Sequence, residues 1–225
     1  MSVRMAGLWT SRRRLAAFIH SRKLVVVFGE VAERYAKLVS RMTWEDEAYT
    51  VTLPDHGVLT VEDAVRRLGL DAATVHAPRE VQPEDLCLQR VGTGIVTWSN
   101  NPYPDGKEVT DRLGGDGFRH WYLSGDIDGN TTLYARYGDS EGQLRFPEPW
   151  VLPFIPWTEQ IGPLAHYAEY FAGVYDTWSG DPETWSDNPD VSAVGTCLAV
   201  IELESGVRLD EKLRRGPKTY VPMPR

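Results

Sequence analysis

The sequence predicts an α+β fold built on an antiparallel sheet. Short alternating segments rich in Val, Thr and Tyr are joined by Gly-containing turns, which is the pattern of β-hairpins. These segments follow one another between residues 48 and 146, so we expect an antiparallel meander. Two later segments carry apolar residues at helical spacing, and we expect both C-terminal helices to pack on one face of the sheet.

Charge divides the 225 residues into two predicted parts. Residues 1–41 hold nine Lys or Arg and only two acidic residues, although the chain as a whole has a net charge of −8. We therefore predict a basic, mainly helical N-terminal extension over residues 1–41 and an acidic α+β domain over residues 42–225.

Within the extension, we expect a helix over residues 12–23, a short strand at Leu24–Phe28 and a second helix from Glu30. The second helix has one apolar stripe, which predicts that it docks on another surface. The stripe consists of Val31, Tyr35, Leu38, Val39 and Met42. Two interpretations stay open: the extension contacts the acidic domain by charge, or the natural start lies at Met42.

The acidic domain is expected to begin with a strand at Ala48–Leu53 and a short helix. Thr60 and Asp63 form a capping box, and Gly69 is placed to end the helix. A loop is expected over residues 71–85 and one or two helical turns over Lys107–Leu113. Further strands are predicted at Leu86–Val91, Ile95–Ser99, Phe118–Ser124, Thr131–Tyr137 and Gln143–Phe146, with turns at Gly92–Gly94, Asp128-Gly129 and Asp139–Gly142.

The C-terminal part starts with an extended strap over Pro147–Pro156, because proline fixes φ and lacks an N–H donor. One helix is expected around the apolar positions from Leu164 to Trp178. The second is expected over Val191–Leu203, with its apolar residues on one face, and it ends before Gly206.

No metal site, cofactor or catalytic residue is predicted. The five histidines are scattered, and none is paired at the spacing that places two ligands on one helix face. Asp126–Asn130 is similar to a calcium loop, but Thr131 stands where that loop needs Gly and Tyr137 where it needs Glu. Nucleophile-elbow and phosphate-binding glycine motifs are also missing from the sequence.

The segment around Trp178–Asp190 is the candidate partner-binding patch. It combines aromatic and acidic side chains between Pro and Gly residues, which suits a basic protein partner. The predicted partner-binding residues are Trp178, Asp181, Glu183, Trp185 and Asp187. The other interpretation is an ordinary solvated loop whose tryptophans pack into the core.

The acidic domain contains five sequence segments that matter in the order in which they occur: residues 44–53, 59–69, 91–98, 120–149 and 198–209. This order resembles an uncharacterised actinobacterial domain family, known only as hypothetical proteins, over about residues 44–225. The family has no established activity, ligand or catalytic residue, so the resemblance implies none for this chain.

The leading hypothesis is a non-enzymatic, cytoplasmic protein-interaction domain that neutralises or scaffolds a basic partner, as an immunity or defence protein does. The sequence has no apolar run long enough to span a membrane. Nucleic acid is expected to bind, if at all, only through the N-terminal extension. The alternatives are a phage or virion component that assembles through its basic arm, and an enzyme with a site near His120 and Asp126.

Overall fold

A seven-stranded antiparallel sheet lies between two layers of helices in a computed structural model of the chain. The structure describes residues 27–41, 48–76, 80–82, 85–99, 106–125, 130–146, 157–178 and 193–222. The strands are β1 (Ala48–Pro54), β2 (Leu86–Val91), β3 (Gly94–Ser99), β4 (Phe118–Gly125), β5 (Thr131–Tyr137), β6 (Ser140–Phe146) and β7 (Thr219–Val221). The predicted α+β fold is confirmed.

The helices of the described residues fall before, between and after the strands. They are α1 (27–39), α2 (Val61–Arg67), α3 (Gly106–Leu113), α4 (Trp157–Gln160), α5 (Ala168–Trp178), α6 (Ala193–Ser205) and α7 (Glu211–Arg214), with 3₁₀ turns at Ala72–His76 and Gly162–Tyr167.

The strand order places β1 in the middle of the sheet. The order is β6-β5-β4-β1-β3-β2-β7, and every pair is antiparallel. Strands β4, β5 and β6 form a continuous meander, while β2 and β3 form a hairpin on the other side of β1. The first strand of the sheet in sequence therefore joins these two halves.

The larger core lies on the sheet face that α5 and α6 cover, as predicted for the two C-terminal helices. Helix α6 is buried continuously from Gly195 to Ile201 and not along one stripe. The reason is that α6 packs on β1, β4 and β5 and also contacts α5 and α1. A helix enclosed in this way has no polar face.

A second core lies on the opposite face of the sheet, beneath α2 and α3. Leu68, which caps the end of α2, and Leu113 of α3 are fully buried there against Leu88 and Ile95 of the sheet. Helix α2 begins as predicted: the Thr60 hydroxyl accepts a hydrogen bond from the Asp63 N–H at 3.1 Å. Gly69 follows the helix with φ +78°, a conformation that favours glycine.

Helix α1 belongs to the larger core. Phe28, Val31 and Tyr35 are buried in it. The Tyr35 hydroxyl donates to Glu202 of α6 at 2.6 Å and accepts from the Leu209 N–H at 2.9 Å, and Arg34 pairs with the same carboxylate. The stripe predicted from Glu30 thus docks on α6, which lies within residues 42–225.

Some sequence predictions are wrong in detail. Residues 27 and 28 are helical, so the strand predicted at Leu24–Phe28 is contradicted for those two, because Phe28 stacks on Tyr170 as part of α1. Strand β6 begins at Ser140 and not at Gln143 as predicted. The reason is that Tyr137 and Ser140 pair across a two-residue turn, in which Gly138 has φ +58°. The expected loop over 71–85 contains the 3₁₀ turn Ala72–His76.

Other predictions fall on parts of the chain outside the described residues. These are the helix over residues 12–23, residues 24–26 of the predicted strand, Met42, the Asp128-Gly129 turn and the strap Pro147–Pro156.

The 157–167 segment packs over β6 on the sheet face that carries the larger core. Gly142 of β6 faces the backbone of Ile161 and Gly162 so closely that a Cβ atom would collide with the Ile161 carbonyl. Gly162 has φ +50° and meets the backbone of Glu141 in the same way. The two glycines therefore let the 157–167 segment approach the face of β6 by backbone-to-backbone packing.

We predict that Gly142→Ala lowers the free energy of unfolding by about 1–3 kcal/mol, because the new methyl group overpacks a rigid backbone contact. Gly173→Ala is the matched control: Gly173 is an exposed residue of α5, and an added Cβ meets nothing within 4 Å. That control gains about 0.5–1 kcal/mol from helix propensity. Urea unfolding of the three proteins measures both changes, and equal stability of the two variants would contradict the packing described.

Candidate functional site

A row of side chains crosses the sheet on the face that α5 and α6 cover. The strand register aligns Leu133 with Leu123, Leu123 with Tyr49, Tyr49 with Trp98, Trp98 with Cys87 and Cys87 with Tyr220. Paired residues in neighbouring strands point to the same side of the sheet. The leucines and Tyr49 are buried in the larger core, whereas Trp98 and Tyr220 are only half-buried.

The outer end of this row lines an open groove of about 440 Å³, which we call the aromatic groove. Its lining residues are Val81, Gln82, Asp85, Cys87, Trp98, Lys218 and Tyr220. Three strands thus supply two aromatic rings on either side of a thiol, at the usual strand spacing of about 4.8 Å.

Local sequence explains how these side chains are held. The Gly92-Thr93 turn sets the β2–β3 register that places Trp98 beside Cys87. Strand β7 is short because Pro217 and Pro222 flank it, and proline cannot donate to a strand ladder. In the wall of the groove, the buried Asp85 carboxylate accepts a hydrogen bond from the Gln82 N–H at 2.7 Å.

Charge and aromatic surface meet in the aromatic groove. The Lys218 ammonium lies 5.1 Å from the centre of the Trp98 ring, within the range of a cation–π interaction. Burial raises the pKa of the Cys87 thiol. Cys87 is therefore a protonated, weakly nucleophilic side chain at neutral pH, and the groove is suited to non-covalent binding.

The predicted partner-binding residues lie mostly outside the described parts of the chain. This holds for Asp181, Glu183, Trp185 and Asp187. Trp178 is the last residue of α5, and its side chain is not among those described. The segment that carries these residues joins α5 to α6, so it connects two helices of the larger core.

His120, the centre of the enzymatic alternative, lies inside the second core. It is 0% exposed, and its Nδ1 is 2.8 Å from the Thr52 hydroxyl. Burial, together with the nearby charge of Arg67, lowers the pKa of His120 to about 3. A neutral imidazole without solvent access does not exchange protons with a substrate. Asp126 lies outside the described residues.

A second histidine forms a polar cluster that the sequence did not indicate. His166 Nε2 lies 2.9 Å from Glu204 Oε1, and the Tyr137 hydroxyl donates to Glu204 Oε2 at 2.8 Å. Trp121 Nε1 in turn donates to the Tyr137 oxygen at 2.9 Å. The neighbouring Ser205 hydroxyl donates to the Ile201 carbonyl, so it serves the end of α6. This cluster joins α6 to β5 and to the 3₁₀ turn.

Sequence reasoning missed the aromatic groove because its members come from distant segments. Alternation along β2 and β3 places Cys87 and Trp98 on one face of their hairpin, and this signal was present. The pairing of Tyr220 with Cys87 joins residues far apart in the chain, and no local pattern reports it.

Two further kinds of feature are absent from the described residues. In those ranges no group of three or more His, Cys, Asp or Glu side chains is arranged to hold a metal ion. Within the same ranges, no helix has the length and apolar character needed to cross a membrane.

Comparison of the chain with known protein families, characterised proteins and solved structures finds no match. The resemblance of residues 44–225 to the actinobacterial domain family stays a prediction.

The buried state of His120 predicts how stability depends on pH. The ordinary pKa of histidine is 6.5 and that of folded His120 is about 3, so below pH 6.5 the unfolded chain binds a proton that the folded chain does not. The contribution of His120 is therefore present above pH 6.5 and is lost as pH falls towards 3. At pH 4.5 the loss amounts to about 2–3 kcal/mol.

Urea unfolding at pH 7 and pH 4.5 tests this prediction with a His120→Asn variant. The Asn amide replaces Nδ1 as the partner of Thr52 and does not titrate. We expect the wild-type chain to lose more stability than the variant between the two pH values. An equal loss in both proteins would show that His120 is not buried in its neutral form.

Proposed function

We propose that the chain is a non-enzymatic protein-interaction domain that binds a basic protein partner in the cytoplasm. The observation that carries this proposal is the aromatic groove, where Trp98 and Tyr220 are half-buried beside Asp85. Tryptophan and tyrosine dominate the binding energy of protein interfaces when they are held in a fixed position. The sheet holds both rings in register.

Charge favours a basic partner for this end of the molecule. Ala48, Ser99, Ser124 and Leu86 lie in one row across the sheet, next to the row that lines the groove. The chain that continues from this row is acidic: Glu45, Asp46 and Glu47 precede Ala48, Glu84 and Asp85 precede Leu86, and Asp126 and Asp128 follow Gly125.

Such a concentration of one charge raises the rate at which an oppositely charged protein associates. The predicted patch adds four acidic residues and no Lys or Arg over residues 179–192. We include Trp178, Asp181, Glu183, Trp185 and Asp187 in the proposed surface. A neutraliser of a basic toxin, such as a nuclease, is the class of protein that this combination fits.

An enzymatic function has less support. His120 is buried and neutral. The serine next to the His166–Glu204 pair, Ser205, already donates its hydroxyl hydrogen bond to the Ile201 carbonyl of α6. Neither histidine lines the aromatic groove. A binding function needs none of these groups to react.

Capture from the native host tests the proposal with the full chain as bait. We expect a basic protein to be recovered at low salt and lost at high salt, because the attraction is electrostatic. The triple variant Asp181→Asn, Trp185→Ala, Asp187→Asn is expected to reduce recovery at least tenfold. Quantitative mass spectrometry of the captured protein measures the change.

The matched control neutralises two acidic residues elsewhere, Glu159→Gln and Glu169→Gln, which are exposed on α4 and α5. This control should recover the partner as the wild-type chain does. Equal recovery by the triple variant would remove the 178–187 residues from the surface. Failure of the wild-type chain to retain any basic protein would refute the proposed function.

A further inference from the structure

We propose that the aromatic groove receives an arginine side chain of the basic partner, and that Lys218 occupies this place in the free protein. The inference rests on the proposed function and specifies one contact within it. It makes Trp98 the ring on which the guanidinium stacks and Lys218 the side chain that must move.

The position of Lys218 is the first step of the argument. Its ammonium lies 5.1 Å from the centre of the Trp98 ring, although the residue is exposed. Among the described residues, no carboxylate lies within ion-pair distance of this ammonium. A flexible side chain with this environment is held mainly by the ring face, so a stronger cation displaces it at small cost.

The Trp98 ring supplies the second step. Its indole is fixed between Tyr49, at a centroid distance of 6.1 Å, and Cys87 of the neighbouring strand. A ring that is already ordered loses little conformational entropy when a ligand binds. Tyr220 stands on the far side of Cys87 and gives the groove a second aromatic wall.

Arginine suits this groove better than lysine. Its guanidinium is planar and weakly hydrated, so it stacks on an aromatic face and also donates to a carboxylate in its plane. Asp85 lines the same groove and, although it is only 6% exposed, adds negative potential beside the ring. A lysine ammonium is compact and strongly hydrated, and it makes the weaker contact that Lys218 shows.

The opposite interpretation treats Lys218 as the binding group for an acidic ligand. The two interpretations predict opposite effects of removing Lys218. If the groove takes a cation, Lys218→Ala frees the ring and removes a like charge, so affinity for arginine rises. If the groove takes an anion, the same change removes the attracting charge and affinity falls.

Isothermal titration of the full chain with an acetylated and amidated hexa-arginine peptide tests the proposal. We expect Lys218→Ala to tighten binding about three- to tenfold and Trp98→Leu to weaken it at least fivefold. Lys212→Ala is the matched control, because Lys212 is an exposed lysine of α7 outside the groove. Its loss also removes one positive charge, and screening limits its effect to less than about twofold at physiological salt.

The exposed position of Lys218 keeps the test valid even if Trp98→Leu impairs folding. Unchanged or weaker binding by Lys218→Ala would overturn the proposal, as would tighter binding of a hexa-glutamate peptide than of hexa-arginine. If hexa-arginine binds the wild-type chain and all three variants equally, the groove proposal falls, and the capture experiment alone then decides the proposed function. Absence of hexa-arginine binding together with absence of a captured basic protein refutes both.

Discussion

The double pairing of β1 is the constraint on which the rest of the structure depends. Tyr49 aligns with Leu123 of β4 on one side and with Trp98 of β3 on the other. Because side chains alternate between the faces of a sheet, a shift of one residue would turn Tyr49 and its neighbours towards α2 and α3. The same register fills the larger core and continues it outward into the aromatic groove. The larger core and the aromatic groove are therefore two ends of one cross-strand row.

The two faces of the sheet differ in how they use polar groups. Beneath α2 and α3, polar side chains such as Thr52 and His120 are buried and satisfy each other in part. On the other face, polar groups stand at the ends of the helices, where Glu202 anchors α1 and Glu204 anchors the 3₁₀ turn and β5. Both carboxylates are partly buried and have tyrosine hydroxyl partners, which offset the cost of removing charge from water. The aromatic groove lies beyond these anchors, and its two aromatic residues, Trp98 and Tyr220, are half-buried.

Local pattern predicted most of the fold, because alternation and turn chemistry act within a few residues. The strand at Ala48–Leu53, the cap at Thr60 and the hairpin around Gly92 are of this kind. What the sequence did not predict depends on tertiary contact. Residues 195–201 of α6 are buried on every side because other elements enclose them, and residue 28 is helical because its ring packs on α5. The groove depends on the pairing of Tyr220 with Cys87, whereas the predicted partner-binding residues from Asp181 to Asp187 stay a prediction.

The central claim is that a basic ligand binds where the sheet register brings aromatic and acidic groups together. Indole N–H signals in a ¹⁵N NMR titration of the full chain with hexa-arginine test it most directly. Trp98 and Trp185 are predicted to shift in a saturable manner. Trp121 is predicted to stay in place, because it is 0% exposed and its N–H is bonded to Tyr137. Shifts confined to other tryptophans, or no saturable shift of Trp98, would contradict the account.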